Sequence, residues 1–166
     1  MIELMYITNL PSVAAAAEKA GVNRIWIDLE RLGKEERQKN MNSVKSMHEI
    51  SDIQKVKSIL SSTQMQVRVN PVNGQSAEEI EQVIGNGADI IILPMYRSVK
   101  EVEFFLNCVK GRAKTVLLLE TVGAMECLSE TLRYNEVDEM YIGLNDLHLE
   151  LKKQFMFQPL AEGIVD

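Results

Sequence analysis

Short runs of β-branched and aliphatic residues alternate with stretches of helical periodicity along the chain, the pattern of a parallel α/β fold. The first strand is expected over about Glu3–Thr8. The second, Arg24–Glu30, carries the apolar run Ile25-Trp26-Ile27 and then turns acidic. Further strands are expected at Gln66–Asn70, Ala88–Leu93, Thr115–Leu119 and about Met140–Gly143. Ala88–Leu93 is apolar except for one Asp, as suits a strand buried on both faces.

Helix signals fall between the strands. Pro11 opens the first helix and Gly21 closes it at a C′ position. Ser51-Asp52-Ile53-Gln54, Ser76-Ala77-Glu78-Glu79 and Ser98-Val99-Lys100-Glu101 each read as a capping box. A fifth helix is expected over Gly123–Arg133, and Pro159 begins another. Arg31–Ile50 is dense in charge and amide without clear periodicity, which predicts a lid or binding loop. Within it Lys34, Arg37, Lys39 and Lys45 read as a solvated charge run, with an anion-binding lid as the other reading.

The last five strands start near residues 24, 66, 88, 115 and 140, so a unit takes roughly twenty-five residues. Eight such units would need roughly 200 residues or more, the lower end for a (β/α)8 barrel. The expected fold is therefore α/β, a single domain over 1–166 of TIM-barrel type with about six β/α units, an incomplete barrel. An open doubly wound sheet is the alternative. Neither a Gly-x-Gly-x-x-Gly after strand one nor a Walker pattern is present to support its nucleotide-binding versions.

In a barrel the active site forms at the C-terminal strand ends. These ends read Asp28-Leu29-Glu30, Arg68-Val69-Asn70, Pro94-Met95-Tyr96-Arg97, Glu120-Thr121 and Asn145-Asp146. Glu120 follows five apolar or β-branched residues, so its carboxylate needs a metal ion or an arginine unless it is simply solvated at the strand end. Asn145 or Asp146 also suits the N-cap of a short helix through Leu151. Arg68, between Val67 and Val69, needs an anionic partner from protein or substrate. Asp28 and Glu30 share a face, and water, a metal's outer shell or Arg68 would each satisfy them. His48 and His148 lack metal-binding spacing and read as surface residues.

Composition narrows the classes. The net charge of −6 disfavours nucleic acid, but it leaves a small anionic substrate open. The longest apolar runs are strand-length, so no membrane span is expected. The start shows no basic region followed by a long apolar stretch. Cys108 and Cys127 are isolated and read as buried, reduced thiols. A cytoplasmic location is the expectation.

The strings Trp26-Ile27-Asp28-Leu29-Glu30, Val67-Arg68-Val69-Asn70-Pro71, Gly87 to Met95, Leu119-Glu120-Thr121 and Ile142 to Leu147 occur in that order and span nearly the whole chain. Together they resemble the HpcH/HpaI aldolase and citrate lyase family. That resemblance implies a (β/α)8 barrel that binds Mg2+ or a similar ion such as Mn2+. It also implies making or breaking a bond next to a pyruvate- or acetyl-type enolate. By position, Glu120 and Asp146 look like the metal-binding carboxylates and Arg68 like the arginine that steadies the enolate oxygen. Asp28 and Glu30 match the acidic pair after strand two. A small 2-oxo acid or related anion is expected to meet Arg68, Asn70, Met95, Leu144 and Asn145.

Two departures stand out. Aldolases of the family place a histidine base directly after the second acid, and the nearer lyase relatives place an Asp there; this chain has Arg31. A metal-bound water, Glu30 or His48 is left as the base. The family's strands seven and eight are also missing. The reading is thus a metal-dependent carbon–carbon lyase, with a truncated, non-catalytic binding or assembly fragment as the alternative. Unpaired edges at strands one and six predict a homo-oligomer, or else a polypeptide that continues past Asp166.

Overall fold

The computed structural model describes residues 2–34 and 46–165. Six strands, β1 (Met5–Ile7), β2 (Arg24–Asp28), β3 (Gln64–Arg68), β4 (Ile90–Leu93), β5 (Lys114–Leu119) and β6 (Glu139–Ile142), form one sheet in sequential order. Every neighbouring pair is parallel. Between and after them lie α1 (Pro11–Lys19), α2 (Ile50–Lys57), α3 (Ser76–Gly85), α4 (Val99–Val109), α5 (Val122–Glu126), α6 (Leu128–Thr131), α7 (Leu144–Glu150) and α8 (Gln158–Ala161). A doubly wound sheet reverses its strand order part-way. This one does not, so right-handed crossovers keep the helices on one face and the sheet curls.

The curl is visible in side-chain contacts. Strands lie about 4.8 Å apart, so β2 and β6 would be roughly 19 Å apart in a flat sheet. Instead Arg24 at the start of β2 donates to Glu139 at the start of β6, at 2.6 and 2.8 Å. One layer higher, Trp26 meets Tyr141 edge-on at 5.8 Å between ring centres. Six strands therefore already curl into a half-barrel.

Alternation divides the strand residues between two cores. Ile25, Ile27, Met65, Val67, Ile91, Leu93, Leu117 and Leu119 pack outward in the large core shared with the helices. Trp26, Ile90, Ile92, Val116 and Leu118 fill the lumen. Extending the lumen phase to the strand tops reaches Asp28, Glu30, Arg68 and Glu120. The floor is polar, with Arg24 also bonded to Gln66 and Glu3. β1 is exposed at all three residues, and Tyr141 and Ile142 of β6 are exposed as well.

Local details depart from the sequence reading. Asp52, rather than Gln54, closes the cap of α2 by accepting from Glu49 N at 3.0 Å, because the helix starts one residue before Ser51. Glu79 does not cap α3. Its carboxylate accepts from Asn70 N and Nδ2 instead. The Ser98–Glu101 box is present. The expected fifth helix is interrupted at Cys127 into α5 and α6. Gly143 holds the N-cap position of α7, so Asn145 and Asp146 lie in its first turn. His48 and His148 are buried, and the free thiols of Cys108 and Cys127 are half-buried. No helix among the described residues is long and apolar enough to cross a membrane.

Candidate active site

The acidic rim is built around one arginine. Arg68 donates from Nε and a terminal nitrogen to the two oxygens of Asp28, both at 2.8 Å. Its other terminal nitrogen lies 3.3 Å from Glu30, and the guanidinium sits 5.3 Å from the centre of the Trp26 ring. Lys34 completes the group at 2.9 Å from Asp28 and 3.7 Å from Glu30. Burial works to raise the Asp28 carboxyl, but Arg68 and then Lys34 outweigh it and hold the group at about 2. Of the partners open to the acidic pair, the structure supplies Arg68, joined by a lysine that was read as solvated. The other charges of that run, Arg37, Lys39 and Lys45, lie outside the described residues.

His48 reaches the back of this cluster. Its Nδ1 accepts from Asp28 N at 3.0 Å, which places the neutral ring's proton on Nε2. Burial lowers its basicity. In this arrangement Nδ1 is occupied as an acceptor and Nε2 carries the proton. Arg31, standing where the family has a histidine or an Asp, turns away and donates to the His48 carbonyl at 2.8 Å. Asn70 ties the loop after β2 to α3: Oδ1 accepts from Arg31 N and Leu32 N, while Nδ2 donates to Glu79. Both ends of its amide thus have protein partners.

Glu120 stands across the lumen and is 2% exposed. Burial raises its carboxyl to about 8, and Glu30 and Asp146 push the same way against Arg68 and the Met95 N–H. That N–H donates to Oε1 at 3.0 Å. A side chain at Gly143 would put Cβ 2.7 Å from Oε2, so the glycine makes room for the carboxylate. Asp146 is buried in the first turn of α7, with Leu144 and Asn145 half-buried beside it. A cavity of about 300 Å³ lined by Met95, Arg97, Asp146, Leu149 and Glu150 adjoins it.

These neighbours suit a hard divalent cation. A buried carboxylate crowded by two others is relieved by positive charge. No group of three His, Cys, Asp or Glu suited to hold a metal occurs among the described residues. Glu120 and Asp146 could hold a cation only with its remaining positions filled by water, which Mg2+ tolerates. Sequence reasoning read Lys34 as solvated rather than as a partner of the acids, and gave no role to Thr121 or to the two glycines that admit close contacts, Gly123 and Gly143. Their only signal is adjacency to the acidic strand ends.

The chain is thus an incomplete (β/α)8 barrel with an acidic, arginine-centred rim at the C-terminal strand ends. No family model matches the sequence, and no curated protein matches it. Solved structures do. Citrate synthase SbnG aligns over 98% of this chain and 69% of its own, with 14% identity and a TM-score of 0.74. An HpcH/HpaI aldolase from Desulfitobacterium hafniense aligns over 97% and 70%, with 16% identity and a TM-score of 0.67. An HpcH/HpaI aldolase/citrate lyase family protein from Burkholderia cenocepacia aligns over 97% and 71%, with 12% identity and a TM-score of 0.74. Two of these three neighbours carry the family name to which the motifs pointed, which supports the resemblance. At these identities the likeness is one of fold, a parallel (β/α) barrel represented here by six units.

Proposed function

We propose that the chain is a divalent-metal-dependent carbon–carbon lyase of the aldolase and citrate lyase type, acting next to a pyruvate- or acetyl-type enolate. The observation that carries this reading is Glu120: a carboxylate buried at a strand end, crowded by Glu30 and Asp146, at the position matching the family's metal-binding acid. Mg2+ or Mn2+ held by Glu120 and Asp146 would supply Lewis-acid stabilisation of the negative charge left when the bond breaks.

This chain's own groups do the rest. Arg68, oriented by Asp28 and Glu30, adds fixed positive charge at the enolate oxygen of a 2-oxo acid. In the cleavage direction a base takes the proton of the substrate hydroxyl. The carbon–carbon bond then breaks to release an aldehyde or ketone, and its electron pair passes into the enolate. Protonation of the enolate carbon gives the 2-oxo acid. Glu30 suits the base better than His48, whose Nδ1 is taken by the Asp28 N–H. Met95 lines the cavity beside Asp146; Leu144 and Asn145, half-buried in the same turn as Asp146, would meet the substrate with it, and Asn70 braces the loop after β2.

The test is retro-aldol release of pyruvate from 4-hydroxy-2-oxo acids, with and without Mg2+ or Mn2+. Turnover that disappears with chelator and returns with metal is expected. Metal binding without turnover under all these conditions would favour the alternative, a non-catalytic binding fragment. The proposal extends to association: β1 leaves Met5, Tyr6 and Ile7 exposed, and β6 leaves Tyr141 and Ile142 exposed. Open edges of this kind recruit other chains. Light scattering is expected to show a homo-oligomer, and a monomer with a cooperative melt would refute that part.

A further inference from the structure

The turn after β4 has an unusual backbone and an unusual number of restraints. Met95 sits at φ 53°, the left-handed region that a side chain disfavours. In that conformation its N–H points at Glu120 Oε1, 3.0 Å away. Such strain persists only where surrounding contacts over-determine it, and here they come from the segment that carries Glu120. The Thr121 hydroxyl, fully buried, donates to the Tyr96 carbonyl at 2.6 Å and accepts from Ala124 N at 2.9 Å. Two residues further on, a Cβ on Gly123 would lie 2.7 Å from the Arg97 carbonyl oxygen. The start of α5 is therefore pressed onto the turn, with no room for a methyl group.

We propose that Thr121 is a positioning residue: it locks the Pro94–Arg97 turn so that the strained Met95 N–H occupies one oxygen of Glu120 and orients the other. This inference rests on the reading of Glu120 as a metal-binding carboxylate. Oε1 is engaged by the turn, and Oε2 lies over Gly143, at the strand end that leads into Asp146. The clamp thereby fixes which oxygen faces the second carboxylate, and without it the Glu120 side chain gains rotamers unsuited to binding. Threonine serves because its hydroxyl bonds the turn and caps α5 at once. Serine can make both bonds, whereas valine has nearly the same shape and can make neither.

The experiment is calorimetric titration of the whole chain with Mn2+ alone, for wild type, Thr121→Val, Thr121→Ser and Met95→Gly, with a thermal melt of each. Thr121→Val is expected to weaken Mn2+ binding about tenfold, the usual scale for losing an outer-shell partner. Thr121→Ser should bind like wild type. Met95→Gly keeps the N–H and loses the strain, so it guards against a misfolded valine variant. Losing the nearly buried Met95 side chain lowers the variant's melting temperature, but well below that temperature it should bind Mn2+ more weakly, because the turn is free to leave the bonded conformation. If both Thr121→Val and Met95→Gly keep wild-type affinity, the clamp serves only folding and the inference is overturned. A wild-type chain that binds no Mn2+ would instead remove the metal reading, and this inference with it.

Discussion

Replacing Arg68 with alanine is expected to lower stability by roughly 3–5 kcal/mol, the cost of leaving buried charges without their partner. Asp28 and Glu30 are 3% and 2% exposed, and Arg68 supplies three of the nitrogens that face them. Lys34 remains, but one ammonium cannot replace a planar fork. A drop of roughly ten degrees in melting temperature is expected for a chain of this size. A melt within a degree of wild type would show that Lys34 and water suffice. Arg68→Lys separates the two roles proposed for the side chain. If it melts several degrees lower but binds pyruvate normally, the arginine is there for the acids. If it melts near wild type but needs far more pyruvate, the arginine is there for the substrate.

Glu120→Gln should change how stability depends on pH, and with metal absent the sign is opposite to that of a paired acid. The Glu120 carboxyl is raised from 4.5 to about 8 in the folded chain. The native state therefore holds this proton where the unfolded state has lost it. Its contribution is neutral below the unfolded value and becomes destabilising as pH climbs through the interval up to about 8. The full effect is on the order of a few kcal/mol. Wild type and variant should melt together near pH 4.5, with the glutamine variant melting higher at pH 8. Asp28 contributes in the other sense, but only below 3.8, where it loses stability as pH falls toward about 2. Parallel melting curves across the interval would mean that Glu120 is not strained by its neighbours. Saturating Mn2+ should close the gap at pH 8 by favouring the ionised wild-type carboxylate.

Much of the fold was legible because periodicity is a local property. The apolar runs located all six strands, and their spacing with the absent nucleotide motifs favoured a barrel over an open sheet. The acidic and basic strand ends were equally visible, since a charge closing an apolar run is conspicuous whatever the fold. Local signals misled where one side chain had two possible partners. Glu79 has the spacing of a capping residue, but Asn70 comes within reach only once β3 and α3 pack. Ser51 resembled an N-cap, but the cap falls two residues earlier at Glu49, whose N–H donates to Asp52.

The sequence by itself determined the order of the elements, their alternating faces and the kinds of charge at the rim, because these depend on neighbours along the chain. Only the tertiary structure decided which charge meets which. Lys34 reads as one of a solvated run, yet the geometry after β2 carries it onto Asp28 and Glu30. His48, twenty residues from Asp28, is spent on that residue's backbone. Thr121 is an ordinary threonine until β4 and β5 bring its hydroxyl to Tyr96. Hydrogen bonds and ion pairs act over a few ångströms, so their partners are set by how strands from distant parts of the chain curl around one lumen.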